Sequence, residues 1–222
     1  MKLLRDPLGR PIKRFYFKPE ELDERCERII AGFMDQHAGG FRLPIPTSDI
    51  IRIIKREAND LDLYADLPEN IDGYTDYFTH RNPDVKISQR LAATRYHNRL
   101  RFTLAHEYGH VWFHAPLWRK PEQDPTRPAS PCWTCYRDTV GTAPENDWME
   151  WQADHIGGAP LMPRSYLFEW AGEIAMWEGK IPPLQADSDL GRALMQRVMR
   201  RCQVSEQAAR VRLLRLGLLT ES

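Results

Sequence analysis

The sequence predicts an α+β fold, in which a small mixed or antiparallel three-stranded sheet packs on helices and a further pair of helices follows. Apolar residues recur at helical spacing over most of the 222-residue chain, and short apolar runs separated by turn residues interrupt this pattern between 61 and 88. Hydrophobic residues make up 42% of the chain, which is enough for a core. The 31 basic and 31 acidic residues balance, so any binding to nucleic acid or membrane has to be local.

The N-terminal half is predicted to hold two helices followed by the three strands. Residues 1–17 are expected to form an irregular basic arm, after which Pro19 is a favoured first residue of a helix. The inward positions of this helix are Leu22, Cys26, Ile29, Ile30 and Phe33. A second amphipathic helix follows the break at Pro46, with core positions at Ile50, Ile51, Ile53 and Ile54. The strands are predicted over 61–67, 73–79 and 84–88.

The C-terminal half is predicted to be helical apart from one long loop. One helix carries a histidine motif, and the proline-rich stretch 121–144 has the composition of an insertion loop. Further helices are expected over 147–159, from Pro163 onward, over 189–201 and over 205–216. We therefore divide the chain into an arm and helix (1–44), a central domain with an insertion at 116–145 (45–181), and a C-terminal segment resembling a helix-turn-helix (184–222).

The segment from Arg101 to Val111 contains one HExxH motif. Residues four apart lie one above the other on a helix, so His106 and His110 can offer two imidazole nitrogens to one metal ion. Glu107 projects beside them, where a carboxylate can take a proton from water activated by the metal. The motif is therefore typical of a zinc hydrolase site, and the alternative is a solvated helix face that carries two histidines.

A catalytic zinc ion takes three protein ligands, so one more donor is required. His114 lies about 12 Å along the helix from His106, which is too far for both to bind one ion. Downstream, Glu150 and Asp154 lie four apart on one predicted helix face. There Glu150 can complete the coordination and Asp154 can accept the far N–H of a ligand histidine. Three rival ligands stay open at this point: Glu145, Asp147 and His155.

Three stretches together resemble the ImmA/IrrE family of metallo-endopeptidases: residues 101–110, Glu150-x-x-Ala153-Asp154 and Leu161-Met162-Pro163. The tail 204–218 is similar to the segment that follows in that family. The resemblance implies a zincin-like metalloprotease domain of the gluzincin type, with zinc as its cofactor. By position it implies that His106, His110 and Glu150 are the ligands and that Glu107 is the base. It also implies an endopeptidase that cuts a helix-turn-helix transcriptional repressor, and so derepresses stress-response or mobile-element genes.

Some features are not explained by this resemblance. Cys132 and Cys135 form a CxxC pair, which is compatible with plain loop cysteines, with half of a structural zinc site, or with a dithiol that controls access to the metal. Gly157-Gly158 stands where the family more often has small alanines, and it is expected to weaken the ligand helix slightly. The residue that stabilises the oxyanion stays open among Tyr108, Tyr136, His155 and Arg164.

Two other functions compete with the protease. One is a non-hydrolytic zinc-fold regulator that binds a repressor or DNA, and the other is a toxin-like partner of a two-gene module. Intact Glu107 favours the enzyme, because a binding module gains nothing from a free carboxylate beside the metal. The tail arginines invite DNA contact, although arginines on packed helices are usually solvated: Arg192, Arg197, Arg200, Arg201, Arg210, Arg212 and Arg215.

The expected partner is accordingly a protein substrate, and no membrane partner is expected. The chain starts without an apolar leader, and no stretch approaches the length of a membrane span. Its four cysteines are too scattered for a disulfide scaffold and suit a reducing compartment. These features predict a cytoplasmic location.

Overall fold

The protein is described by a computed structural model, which covers residues 2–37, 39–120, 130–138, 147–176 and 179–221. These residues fold into two compact units, the first drawn from 1–22 and 47–157 and the second from 23–46 and 158–222. Both units combine helices with small sheets, so the predicted α+β class is confirmed. The division into three sequence segments and the helix-turn-helix character of the tail stay predictions. Within the described ranges, no helix is long and apolar enough to cross a bilayer.

The first unit consists of a hairpin, a four-stranded sheet and helices. Its strands are β1 (Lys2–Arg5), β2 (Lys13–Tyr16), β3 (Asp60–Ala65), β4 (Ile71–Tyr77), β5 (Asp84–Ser88) and β6 (Trp133–Asp138). Its helical segments are the start of α1 (Pro19–His37), then α2 (Thr47–Glu57), 3-10 turns at Gln89–Ala92 and Thr94–Tyr96, α3 (His97–Gly109), a π-helical turn at His110–His114, α4 (Ala115–Trp118) and most of α5 (Trp148–Leu161).

The main sheet has the strand order β3-β5-β4-β6. β3 is parallel to β5 and the other two pairings are antiparallel, so the sheet is mixed, as predicted. The expectation of three strands was wrong, because β6 forms inside the predicted insertion loop at 116–145. Aromatic and β-branched residues favour a strand there, and pairing with β4 places Cys135 opposite Thr75. The rest of the proline-rich stretch, 121–129 and 139–144, lies outside the described residues.

The N-terminal arm is also more regular than predicted. β1 and β2 pair antiparallel, with Lys2 opposite Tyr16. The turn between them begins at Asp6-Pro7-Leu8-Gly9, where the Gly9 N–H donates to the Asp6 carbonyl oxygen over 3.2 Å. A proline followed two residues later by glycine favours a turn, so this turn is also predictable from the sequence.

The core of the first unit lies between the sheet and the helices. α3 packs against α2 and against β4. Three of the four predicted core isoleucines of α2 are buried, and Ile51 is half-buried. A second buried cluster joins β4 and β6 to the starts of α4 and α5, and it contains Ile12, Tyr77, Ala115, Trp118, Cys135, Trp148 and Met149. Apolar side chains therefore hold α3 and α5, which carry the predicted site residues, and β4, which packs against α3.

The second unit contains the remainder of α1 with α6 (Arg164–Met176), β7 (Leu184–Gln185), α7 (Asp189–Cys202), α8 (Glu206–Arg215) and β8 (Leu219–Thr220). α7 and α8 match the predicted helices to within a residue at each end. Ser188 and Ser205 cap them by accepting the N–H groups of Gly191 and Ala208. Gln203 ends α7 in the left-handed conformation, with a φ of 52°. The parallel pairing of β7 with β8 had no counterpart in the sequence analysis.

Gly191 provides a test of the second unit. A Cβ at this position would overlap the Gln185 carbonyl oxygen and lie 2.9 Å from that of Ala186. We predict that Gly191→Ala lowers the free energy of unfolding by about 1–3 kcal/mol, the usual cost of overpacking. Gly172→Ala is the matched control, because nothing lies within 4 Å of a Cβ there. Thermal unfolding should show a lower Tm for the first variant only, and equal Tm values would contradict the packing at Gly191.

Candidate metal centre

The HExxH motif lies at the end of α3 and runs into the π-helical turn. His106 and His110 are one turn apart and are 1% and 0% exposed, so both rings are withdrawn from water. Their Nε2 atoms lie 3.1 Å apart. The π-helical turn begins at His110 itself, and such turns often mark functional positions in helices. The two rings thus face one common point.

Glu150, in the first turn of α5, brings a carboxylate to the same point. Its Oε2 lies 3.2 Å from His106 Nε2, and its Oε1 lies 3.3 Å from His110 Nε2. Burial alone would raise the pKa of Glu150, but the two neighbouring imidazoles hold it well below its usual value. The carboxylate is therefore charged and suited to a cation. Among the residues that the structure describes, His106, His110 and Glu150 form the one group that could hold a metal ion.

The spacing of these donor atoms can be compared with what an ion requires. Two bonds of about 2.1 Å that meet at a tetrahedral angle separate their far ends by about 3.4 Å. The observed separations of 3.1, 3.2 and 3.3 Å are close to that value. Two imidazoles and one carboxylate also leave a fourth tetrahedral position free for water or substrate. The residues present therefore fit a metal ion.

Close contact between α3 and α5 allows the three donors to meet. A Cβ on Gly109 would lie 3.2 Å from the Ala153 Cα atom, so both residues have to be small for the helices to approach this far. A Cβ on Gly157 would lie 3.1 Å from the Phe102 ring and 3.4 Å from His106 Cα. Gly157, which was expected to weaken the ligand helix slightly, thus fits this close approach, because a side chain there would press on Phe102 and His106.

Glu107 is fully buried beside the two histidines. Its Oε2 accepts a hydrogen bond of 2.6 Å from the Thr75 hydroxyl on β4, whereas Oε1 has no hydrogen-bond partner within the described ranges. Burial raises the pKa of Glu107, although the charges of His106 and His110 oppose the shift. A buried carboxylate oxygen without a partner is costly, and this one is available to a water molecule or to a substrate group.

Asp154 contacts His106, as the helical spacing predicts. Its Oδ1 lies 3.1 Å from His106 Nδ1, the ring nitrogen that points away from the donor cluster. Arg137 on β6 donates to the same oxygen over 2.9 Å and lies within 2.6 Å of the same nitrogen. Burial alone would raise the pKa of Asp154, but the hydrogen bond from His106 and the charge of Arg137 lower it to about 2. The effect of Asp154 on a bound metal stays a prediction.

His114 lies behind His110 and outside the donor cluster. Its ring is fully buried, and its Nδ1 lies 3.0 Å from His110 Nδ1. On the other side, its Nε2 contacts the Gln152 side-chain oxygen over 3.1 Å. Burial lowers the pKa of His114 well below its usual value, so the ring is neutral. This placement agrees with the argument from helical rise that His106 and His114 do not share one ion.

The rival ligands do not join the cluster where they can be placed. Asp147 pairs with the Arg10 guanidinium over 2.9 Å, and the His155 ring lies 5.7 Å from that of Trp151. Glu145 lies outside the described residues. Of the four oxyanion candidates, Tyr108 and His155 are buried, Tyr136 is exposed, and Arg164 stacks over Phe168 in the second unit. The oxyanion residue stays open.

Several residues around the site were not identified from the sequence. Thr75 and Tyr77 are two apart on β4, so both face α3, and the Tyr77 hydroxyl lies 2.9 Å from His110 Nδ1. The spacing of two residues in a predicted strand is the sequence signal that could have placed Thr75 and Tyr77 on one face. No sequence signal pointed to Arg137, because its contact depends on the pairing of β6 with β4. Gln152 is two residues after Glu150 and was not considered.

The CxxC pair is split between two environments. Cys135 is buried, and burial raises its pKa well above the usual value. Cys132 is exposed, and its thiol contacts the Tyr77 carbonyl oxygen over 3.2 Å. Both are free thiols, and neither belongs to a potential metal site among the residues described. Redox control of access to the site stays a hypothesis.

A comparison with protein families places the chain in one of them. The model of the family Peptidase_M78, described as an IrrE N-terminal-like domain, matches residues 56–214. The matched range includes α3, β6 and α5, and with them every residue of the donor cluster. No curated protein matches the chain.

The ligand assignment can be tested by metal content. We predict that His106→Ala, His110→Ala and Glu150→Ala each weaken metal binding by more than about 100-fold, since the loss of an outer partner alone costs about 10–100-fold. Glu169→Ala, at an exposed position of α6, is the control and should bind as the wild type does. The measurement is metal content by mass spectrometry after dialysis against a chelator. Full occupancy in Glu150→Ala would exclude it as a ligand.

Proposed function

The chain belongs to the Peptidase_M78 family of IrrE N-terminal-like domains, which implies a metallopeptidase, and on this premise we propose that it is a zinc endopeptidase that cuts a regulatory protein. The observation that carries the proposal is the buried convergence of His106, His110 and Glu150 beside Glu107 Oε1, which has no hydrogen-bond partner among the described residues. A purely structural metal site has no use for a carboxylate held free at this position.

Zinc is the proposed cofactor because of the donor set. Two neutral imidazoles and one carboxylate with a fourth position open are the usual surroundings of catalytic zinc, whereas calcium and magnesium prefer oxygen donors alone. When bound, zinc supplies a Lewis acid that polarises the scissile carbonyl and makes water more acidic.

The protein residues handle the proton. The Thr75 hydroxyl holds Glu107 Oε2, whereas Oε1 has no hydrogen-bond partner among the described residues, so Oε1 is the oxygen that we assign to proton transfer. Glu107 Oε1 takes the water proton, and the same carboxylate later delivers it to the leaving amine. Burial raises the pKa of Glu107, which makes its carboxylate a stronger base for the first of these steps.

An extended peptide is the substrate that the sheet suits best. β6 is the last of the described strands in the sheet order, and its Arg137 reaches the His106 ring, so this strand runs beside the donor cluster. An added strand on the outer edge of β6 would bind through main-chain hydrogen bonds, which hold a peptide without regard to its sequence. A helix-turn-helix repressor is the proposed protein that supplies this segment, on the basis of the resemblance to the ImmA/IrrE proteins.

DNA contact through the tail receives less support. Arg192 pairs with Asp189, and Arg197 pairs with Glu173. Arg210 lies 3.5 Å from the Asp187 carboxylate, and Arg212 forms a buried pair with Asp23 over 2.7 Å. Each of these four arginines has a carboxylate partner in the second unit, which reduces the positive charge offered to a phosphate backbone. We therefore retain the protein substrate as the proposed partner.

Co-expression with a helix-turn-helix repressor encoded by a neighbouring gene tests this function. We predict that the wild-type chain cuts the repressor into two fragments, and that Glu107→Gln leaves it intact while retaining zinc, because the amide cannot take a proton. Fragment masses and zinc content are the measurements. Cleavage by Glu107→Gln at the wild-type rate, or an intact repressor with a zinc-loaded wild-type chain, would contradict the proposal.

A further inference from the structure

A chain of hydrogen bonds runs from His110 to the N-terminal hairpin. From it we infer that His114 and Gln152 are positioning residues, which fix the His110 ring so that the Nε2 lone pair faces the metal position. The inference deepens the proposed function and rests on it, since it concerns the support of one proposed ligand. Neither residue belongs to the donor cluster, and His114 contacts it only at His110 Nδ1, the ring nitrogen that does not face the metal position.

The chain has three links. His110 Nδ1 lies 3.0 Å from His114 Nδ1, and His114 Nε2 lies 3.1 Å from Gln152 Oε1. The Gln152 side-chain nitrogen then donates to the main-chain oxygen of Phe15, on β2, over 2.8 Å. His110 and His114 are 0% exposed and Gln152 is 4% exposed, so water has little access to replace a lost partner.

The hydrogen bond from Gln152 to Phe15 determines which atom donates in each of the other hydrogen bonds. A main-chain carbonyl only accepts hydrogen bonds, so the amide of Gln152 has to turn its NH2 group toward Phe15 and its oxygen toward His114. His114 Nε2 must therefore donate. A second N–H would put a charge on a fully buried ring whose nitrogens contact only His110 and Gln152 among the described residues, so the ring carries one N–H and its Nδ1 is the acceptor. His110 Nδ1 then carries the proton of that ring, and His110 Nε2 is left with a free lone pair.

Among the described residues, Tyr77 also lies close to His110 Nδ1, with its hydroxyl 2.9 Å away. If this hydroxyl donated to Nδ1, the lone pairs of His110 and His114 would face each other over 3.0 Å, which is repulsive. The hydroxyl also hydrogen-bonds the Cys135 thiol, so its own proton has another acceptor. Tyr77 thus shares the His110 N–H and does not reverse the chain.

The two histidine ligands are therefore supported in different ways. The far nitrogen of His106 faces a carboxylate, Asp154, whose side chain is 30% exposed. The far nitrogen of His110 faces His114, the first member of a buried hydrogen-bond chain of neutral groups that ends at the main-chain oxygen of Phe15. Partners of this kind hold a ligand ring in one orientation, and their loss usually costs about 10–100-fold in metal affinity.

The direction of the chain can be read by NMR on the metal-free, full-length protein with ¹⁵N-labelled histidine. Ring nitrogens with and without a proton differ widely in chemical shift. We expect His110 protonated at Nδ1 and His114 protonated at Nε2, with the signals assigned from the His114→Asn variant. A His114 ring protonated at Nδ1 would overturn the inference, whether or not the protein proves to be a protease.

Metal affinity provides the second test, with zinc alone as the probe in competition with a chromophoric chelator. We predict that His114→Leu binds zinc about 10–100-fold more weakly. His114→Asn should recover most of the loss, because its side-chain oxygen, attached to the same Cγ, can replace Nδ1 as acceptor. Phe113→Leu is the packing control. Phe113 is buried next to His114 and packs against Phe17, and it takes no part in the hydrogen-bond chain.

Two outcomes of the affinity test would contradict the inference. Unchanged zinc affinity in His114→Leu would show that the His110 ring needs no such support. An equal loss in Phe113→Leu would show that any loosening of this region weakens binding. Neither the NMR signals nor the zinc affinity depends on hydrolysis. A protein without protease activity could therefore still show both expected results, and the two proposals fail independently.

Discussion

The buried side chains of His106, His110 and Glu150 converge, with neighbouring donor atoms 3.1–3.3 Å apart, and the first unit is organised around this cluster. Polar groups withdrawn from water are costly unless each has a partner, so the surrounding residues have to supply fixed partners on every side. Asp154, His114, Tyr77 and Gln152 lie behind the donors. The same burial strengthens the attraction of the cluster for a cation, because water no longer screens it.

The N-terminal hairpin connects this cluster to the beginning of the chain. Asp6 and Arg10 form a buried pair over 2.8 Å, and Arg10 extends to Asp147 at the start of α5. The Trp148 indole N–H donates to Asp6, and the hairpin carbonyl of Phe15 holds Gln152. Buried ion pairs of this kind often contribute little net stability, but they fix one geometry. The hairpin thereby sets the position of the helix that carries Glu150.

Much of the site was predictable because it depends on local geometry. Helical spacing alone placed His106 and His110 on one side of a helix and Glu150 and Asp154 on one face of another. It also showed that His114 lies too far from His106 to bind the same ion. What the sequence analysis missed depends on contacts between distant segments. The residues of β6 favour a strand locally, but its position beside the site depends on pairing with β4, and the Phe15 contact with Gln152 spans 137 residues. No spacing rule within one helix or strand reports such contacts, whereas the turn signal at Pro7 and the period of two in β4 were present and were overlooked.

The central claim is that His106, His110 and Glu150 hold one zinc ion. Its most direct test is a crystal structure of the zinc-loaded protein with anomalous data collected on both sides of the zinc absorption edge. The account predicts one strong anomalous peak about 2.0–2.2 Å from the Nε2 atoms of both histidines and from a Glu150 carboxylate oxygen. A peak bonded to the sulfur atoms of Cys132 and Cys135, with none between the two histidines, would contradict it.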